Sequence, residues 1–235
     1  RRRRAGLPVD DVLVTDTPVE REVDFGSVDD HSSSVRAPDD ARRTLNAVPD
    51  YPAGPTPPVT GSWRGARVTV SSSASDATQF GGALPGANPA AAVDGDLVTG
   101  WISNGLESAV GQWLELRPDT PLTSGLLEFR TTAGSLGSPV KWVEIATDTG
   151  TSAARITEPG EPVVVSLPAG RTTFVRITAT QTEDGSRGAQ FGIADLRLTD
   201  FSDPTAPAPI RIEHRTDLPA PAPEVTVTGW SLAQE

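Results

Sequence analysis

The 235-residue chain contains no cysteine. It can therefore form no disulfide, no zinc–thiolate site and no thiol nucleophile, and its stability must come from packing or from a cation bound by oxygen ligands. No apolar run approaches the ~20 residues that a transmembrane helix needs. The net charge of −11, from 31 acidic and 20 basic residues, disfavours nucleic acid and anionic lipid as partners.

Histidine is almost as scarce, since the chain contains only His31 and His214. Both lie in the flanks of the sequence, which argues against a histidine-based catalytic triad or a histidine metal site. A glycosidase would need two carboxylates ~5–10 Å apart across a cleft. Glu107 with Glu183 or Asp184 could be nominated, but nothing in their sequence setting indicates a raised pKa. We therefore expect the chain itself to be non-catalytic.

Seven short β-rich runs lie between residues 61 and 201, with Gly, Pro, Asp and Ser between them. Apolar residues alternate along the runs, as in half-buried strands, and no long amphipathic helix interrupts them. This spacing predicts an all-β sandwich or barrel, with one helical turn at 89–94 that Pro89 opens. The runs are ARVTVSSS (66–73), GQWLELRP (111–118), GLLEFRTT (125–132), VKWVEIATD (140–148), PVVVSL (162–167), TTFVRITAT (172–180) and FGIADLRLTDF (191–201).

Proline-rich segments separate this region from both ends of the chain. They divide the sequence into an N-terminal flank at 1–60, a sandwich domain at 61–201 and a C-terminal segment at 202–235. Because domain termini often lie close together, we expect the two flanks to pair as a small β-unit into which the sandwich is inserted. The strand-like segments of the flanks are DVLVTD (11–16), REVDFG (21–26), PIRIEHR (209–215) and PEVTVTGW (223–230).

An acidic turn is the most informative local feature of the sequence. Asp94 and Asp96 flank a glycine, and Thr99 and Trp101 follow. Such a turn lets two carboxylates and nearby carbonyls converge, which suits a hard cation that takes six to eight oxygens at ~2.3–2.6 Å. An ordinary acidic turn has the same sequence, so the residues alone leave both interpretations open. In either case we expect Trp101 to enter the core and anchor the turn.

The order of VTVSSSAS, NPAAAVDGDLVTGWIS, GQWLELRP, VKWVEIATDTG, FVRITAT and FGIADLRL resembles the discoidin, or coagulation factor 5/8 type C, family over residues 66–201. The sequence is similar to the carbohydrate-binding modules of that superfamily. The resemblance implies an eight-stranded jelly-roll β-sandwich of the galactose-binding-domain-like type, here with extra flanking β-segments. It also implies that Trp101, Trp113 and Trp142 occupy core positions.

The same resemblance implies a structural calcium ion. Its ligands would be the side chains of Asp94, Asp96 and Thr99, a backbone carbonyl near Ala91, and an acidic side chain from the last strand. Asp195 matches that last position, where members of the family often have glutamate. We therefore expect Ca²⁺ as a structural cofactor.

Family members usually bind their ligand with variable loops at one end of the sandwich. Sugar recognition needs an aromatic face together with planar polar groups that hydrogen-bond to paired hydroxyls. From the loops at 76–88, 103–111, 133–139 and 181–190, the candidates are Phe80, Asn104, Glu107, Arg187 and Gln190. Each of these is also compatible with an ordinary solvated loop side chain.

A narrower resemblance involves the acidic flank VLVTDTPVEREVDFG at 12–26. Together with the discoidin-like block, it is similar to the extracytoplasmic region of the large membrane arabinofuranosyltransferases of mycobacterial-type cell envelopes. The resemblance implies that a parent chain transfers arabinofuranose from a polyprenyl-phosphate donor to arabinan, with its catalytic carboxylate outside this sequence.

We therefore expect a non-catalytic, extracytoplasmic module that binds envelope polysaccharide of the arabinan or galactan type. The alternative is a structural domain that packs against the rest of its parent chain or against another protein. Lipid binding by an apolar loop at Phe80 and Leu84 is a further alternative, although the surrounding loops are acidic or neutral.

Overall fold

The computed structural model describes residues 60–75, 84–105 and 107–217, and within them the chain forms twelve β-strands. The 3₁₀ turns Pro85–Ala87 and Pro89–Ala92 precede the third strand. The strands are β1 (Thr60–Arg64), β2 (Ala66–Val70), β3 (Trp101–Ile102), β4 (Trp113–Pro118), β5 (Gly125–Thr131), β6 (Val140–Thr147), β7 (Gly150–Arg155), β8 (Val163–Ser166), β9 (Val175–Thr182), β10 (Gly192–Asp200), β11 (Ala208–Ile210) and β12 (Glu213–Asp217).

Ten of these strands form two five-stranded sheets that enclose one core. Sheet I has the order β2-β4-β9-β6-β7, and sheet II has the order β11-β10-β5-β8 with β3 also paired to β10. All of the pairings are antiparallel. The all-β sandwich expected from the sequence is confirmed. It has ten strands in its two sheets rather than the expected eight, because β7 and β11 are added at the sheet edges.

Each of the seven alternating runs contains a strand, and the helical turn expected at 89–94 is the 3₁₀ turn Pro89–Ala92. The side chain of Asn88 caps this turn by accepting a hydrogen bond of 2.9 Å from the N–H of Ala90. Strand β7 was not predicted, because it lies at an edge where Ala154 is the one buried residue. Strand β3 is two residues long and therefore shows no period.

The two ends of the described region lie side by side. Strands β1 and β12 pair antiparallel, with Trp63 opposite His214 and their ring centroids 4.7 Å apart. Strand β11 joins sheet II, so the sandwich continues beyond residue 201. The strand-like segments at 11–16, 21–26 and 223–230 lie outside the described residues, and their pairing stays a prediction.

Trp101 lies at the centre of the core. Its side chain is fully buried, its indole N–H donates to the carbonyl of Ser72 at 2.9 Å, and its ring meets Phe191 edge-on at 5.6 Å. The preceding Gly100 allows this packing, because a Cβ there would lie 2.9 Å from the Cα of Ala194 on β10. The expectation that Trp101 anchors the acidic turn in the core is confirmed.

The other two tryptophans expected in the core, Trp113 and Trp142, do not occupy it. Leu114 and Val143 take the inward positions of β4 and β6 and are fully buried, whereas Trp142 is 37% exposed and Trp113 is half-buried. Because side chains alternate between the faces of a strand, the inward position of each neighbour places the tryptophan on the outer face of sheet I. The core assignment of Trp113 and Trp142 is therefore wrong.

Replacement of Trp101 by alanine should cost about 3–5 kcal/mol of the free energy of unfolding, the range for large buried aromatic side chains. Denaturant unfolding measures this loss. The matched control is Trp142→Ala, which removes the same side chain from the outer face and should cost much less. Equal losses in the two variants would contradict this assignment of the core.

Candidate functional site

Three loops, those that follow β3, β5 and β9, are joined by hydrogen bonds. The N–H of Val110 donates to the carbonyl of Arg187 at 3.0 Å, and the N–H of Leu136 donates to the side-chain oxygen of Gln190 at 3.0 Å. These bonds link the first and second loops to the third. The resulting surface, here called the loop end, comprises residues 103–105, 107–112, 132–139 and 183–191.

Gln190 holds the loop end together. Its side chain is buried, and besides accepting from Leu136 its amide nitrogen donates to the carbonyl of Ser103 at 3.0 Å. The hydroxyl of Ser103 in turn accepts from the N–H of Phe191 at 2.9 Å. The amide oxygen and nitrogen of Gln190 thus both bind protein groups, which gives this predicted ligand-binding residue a positioning role.

Asn104 and Glu107 are connected through Gln112, a residue that the sequence did not single out. The backbone N–H of buried Asn104 donates to the hydroxyl of Ser72 at 3.0 Å, and that hydroxyl donates to the side-chain oxygen of Gln112 at 2.6 Å. The amide nitrogen of Gln112 donates to the carboxylate of Glu107 at 2.7 Å. The exposed Glu107 is therefore held by a network that begins inside the molecule.

The structure places four of the five predicted sugar-binding residues at the loop end, and Phe80 lies outside the described residues. Glu107 and Arg187 have exposed side chains, whereas Asn104 and Gln190 are buried. The five candidates follow from residue type within predicted loops. Residue type does not distinguish a polar side chain that faces solvent from one that binds another loop.

A small cavity lies beside the loop end. Its volume is about 40 Å³, and Thr131, Ser135, Pro159 and Gln190 are among the residues that line it. The hydroxyl of Thr131 is buried and has no hydrogen-bond partner.

The carboxyl group of Asp184 adds a fixed negative charge to the loop end. Hydrogen bonds from the side chain and then the backbone of Ser186, followed by Ser138 and Thr182, lower its pKa from 3.8 to about 2. The backbone bond from Ser186 measures 2.9 Å. A general acid in a glycosidase needs a raised pKa, so the direction of this shift is opposite to the one that such catalysis requires.

The pH dependence of stability should reflect this lowered pKa. Stabilisation by ionised Asp184 is present above pH ~4 and is lost as the pH falls towards the folded-state pKa of about 2. Asp184→Asn keeps the shape of the side chain and removes its charge. The difference in Tm between the native chain and this variant should therefore be largest above pH 4 and shrink towards pH 2. A difference independent of pH would contradict the assignment.

Three of the predicted calcium ligands lie together in the acidic turn. The carboxylate of Asp94 accepts from the N–H of Asp96 at 2.8 Å and from the hydroxyl of Thr99 at 2.7 Å. The carboxylate of Asp96 accepts from the N–H of Val98 at 2.9 Å. Carboxylate and hydroxyl oxygens are donors that Ca²⁺ prefers, so the chemistry of this turn fits the ion.

The remaining two predicted ligands belong to neighbouring elements. Ala91 is buried in the 3₁₀ turn before the acidic turn. Asp195 is buried in β10, and its carboxylate pairs with the guanidinium of Arg197 at 3.0 Å. Among residues 60–75, 84–105 and 107–217, no three His, Cys, Asp or Glu side chains are grouped to hold a metal. Calcium binding stays a prediction that rests on the acidic turn.

Sequence comparison relates the chain to known glycosyltransferases. Residues 1–49 match the family described as alpha-(1->3)-arabinofuranosyltransferase, N-terminal GT-C domain. The alpha-(1->3)-arabinofuranosyltransferases of Mycolicibacterium smegmatis and Mycobacterium tuberculosis are each 48% identical to the chain over 233 residues, which is 99% of this chain and 16% and 17% of theirs. The resemblance to arabinofuranosyltransferases is confirmed. The chain spans about a sixth of the length of these curated relatives.

A solved structure of a mycobacterial arabinofuranosyltransferase agrees with this relationship. The cryo-EM structure of arabinofuranosyltransferase AftD from mycobacteria matches with a TM-score of 0.78 and 46% identity over 94% of this chain and 17% of that chain. A family 32 carbohydrate-binding module of C. perfringens NanJ, solved with galactose, matches 58% of this chain and 96% of its own at 18% identity, with a TM-score of 0.42. In the described part of the chain, no helix has the length and apolar character needed to cross a membrane.

Proposed function

We propose that this chain is a non-catalytic carbohydrate-binding module of an arabinofuranosyltransferase and that it recognises arabinan or galactan of the cell envelope. The observation that carries the proposal is the loop end, where a hydrogen-bonded framework presents exposed Glu107 and Arg187. Leu136, 64% exposed, adds an apolar surface there. Planar charged groups bind paired hydroxyls, and apolar surface covers the C–H face of a sugar.

Two observations support a role in binding rather than catalysis. The loop end contains no histidine, and hydrogen bonding lowers the pKa of Asp184, whereas a general acid needs a raised one. In this proposal the transfer reaction takes place elsewhere in the parent enzyme. The module faces the extracytoplasmic side, where the polysaccharide is found, and holds the acceptor near that enzyme.

The pairing of β1 with β12 favours a second candidate, a structural domain that packs against the rest of the parent chain. This ladder brings the two ends of the described region together, as expected for a unit inserted into a longer polypeptide. The two candidates differ in whether the isolated 235-residue chain binds a glycan.

Titration calorimetry with soluble arabinan and galactan separates the two candidates. We expect saturable binding to one of the polymers and none to dextran. Arg187→Ala should weaken that binding about tenfold, the effect of losing one hydrogen bond to a charged group. The backbone bond between Arg187 and Val110 is retained in this variant, so the loop keeps its position. Absence of binding at millimolar sugar concentrations would refute the module and favour the structural domain.

We also propose that Ca²⁺ stabilises the acidic turn through Asp94, Asp96 and Thr99, with the carbonyl of Ala91 and with Asp195 as further ligands. A ligand that binds only the native state at 100 times its Kd adds about 2.7 kcal/mol to the free energy of unfolding. Ca²⁺ should therefore raise the Tm, and a chelator should reverse the effect.

Asp94→Asn should abolish this response to Ca²⁺. Asp203→Asn is the matched control, because Asp203 also accepts hydrogen bonds from a nearby threonine, Thr205, and is not among the proposed ligands. A native chain whose Tm is the same in Ca²⁺ and in chelator would rule out the ion.

A further inference from the structure

The outer face of sheet I carries side chains that neither the core nor the loop end uses. The register places Glu115 of β4 opposite Arg176 of β9 and Trp142 of β6 opposite Arg155 of β7. The residues next to them in sequence, Leu114, Val143, Ala154 and Ile177, are buried. Because side chains alternate along a strand, Glu115, Trp142, Arg155 and Arg176 point outward. The outer face is defined here by the outward residues Arg67, Trp113, Glu115, Arg117, Trp142, Glu144, Arg155 and Arg176.

Glu115 fixes two arginines on this face. Its carboxylate pairs with the Nη2 of Arg176 at 2.6 Å and with the Nε of Arg117 at 2.7 Å. The side chain of Glu115 is 3% exposed, whereas those of Arg117 and Arg176 are 55% and 38% exposed. The carboxylate is thus covered while both guanidinium groups reach solvent. The Nε of Arg176 also donates to the carboxylate, at 2.8 Å. Two hydrogen bonds therefore orient the guanidinium of Arg176 before any ligand binds, and one restrains that of Arg117.

Trp113 lies beside this cluster, whereas Trp142 lies opposite Gln181 of β9, five residues along that strand from Arg176. The guanidinium of Arg176 lies 4.4 Å from the centroid of the Trp113 ring, a cation–π contact that fixes both groups. Trp142 lies at a β-bulge of β6, where the pairing with β9 shifts, and the hydroxyl of Thr180 donates to its carbonyl at 3.0 Å. Bulges redirect side chains and recur next to functional sites. Here the bulge lies at Trp142 itself, whose side chain is 37% exposed.

The charge of the outer face differs from that of the chain. Its outward positions carry four arginines, which are Arg117, Arg155 and Arg176 together with Arg67 of β2, against the two glutamates Glu115 and Glu144. The chain as a whole has a net charge of −11. A cationic face with exposed indole therefore disfavours basic partners and favours ligands that accept hydrogen bonds and stack on an aromatic ring.

Polyhydroxylated sugars have this chemistry, because their ring oxygens and hydroxyls accept hydrogen bonds and their C–H faces stack on aromatic rings. Resting on the function proposed above, we propose that the outer face of sheet I is a second glycan-binding surface. One sugar ring stacks on Trp142, and Arg176 and Arg117 donate to hydroxyls of sugars further along the same polymer. Five residues of β9 at ~3.4 Å each place Arg176 about 17 Å along the strand from the level of Trp142. Five strands at a spacing of ~4.8 Å make the face ~19 Å wide, which suits an extended polysaccharide better than a single sugar.

Variants on opposite faces test this surface in the 235-residue chain. Calorimetry with the soluble polymer that binds the native chain should show affinity about tenfold weaker for Trp142→Ala and for Arg117→Ala. The matched control is Val164→Ala, since Val164 is 55% exposed on β8 of sheet II, and its affinity should be unchanged. The Tm of each variant establishes that it is folded.

The outcomes separate this inference from the proposed function. If the native chain binds and both outer-face variants bind equally well while Arg187→Ala does not, the second surface is wrong and the loop-end module stands. If the native chain binds neither arabinan nor galactan, the module and the second surface both fail. If Trp142→Ala, Arg117→Ala and Arg187→Ala all bind more weakly than the native chain while Val164→Ala binds equally well, both surfaces are supported.

Discussion

The hydrogen bond from the indole of Trp101 to the carbonyl of Ser72 connects the core of the sandwich to its loops. It fixes the segment after β2 against the core, and the hydroxyl of the same Ser72 binds Asn104 and Gln112. The network therefore extends from the core to Glu107 at the loop end. The acidic turn ends directly before Trp101, so burial of the indole also limits where that turn can lie.

This arrangement divides the polar side chains into two groups. Gln112 and Gln190 are buried and hold the loops, at the cost of their own access to a ligand. Glu107 and Arg187 remain exposed on the backbone that those bonds fix. A rigid framework of this kind reduces the entropy lost when a ligand binds, and Glu115 has the same role on the outer face of sheet I by orienting two arginines.

The alternation of apolar residues predicted seven of the ten strands in the two sheets, because inward positions exclude water and select apolar residues. It failed where that selection is weak, as in the edge strand β7. The family resemblance implied a core position for Trp142, but Val143 occupies the inward position. Alternation could not correct this, because it does not tell which of two adjacent apolar residues faces inward. Residue type within a predicted loop identifies Asn104 and Gln190 as candidates, but their burial depends on long-range contacts that no local pattern encodes.

We expect this sandwich to bind a glycan with surfaces outside its core, and NMR of the tryptophan indole N–H groups measures such binding. Three of the five tryptophans report two places: Trp101 the core, and Trp113 and Trp142 the outer face of sheet I. On titration with soluble arabinan or galactan, we expect shifts for Trp142 and Trp113, shifts for the amides of the loop end, and none for Trp101. A spectrum that neither polymer changes would rule out glycan binding by this chain.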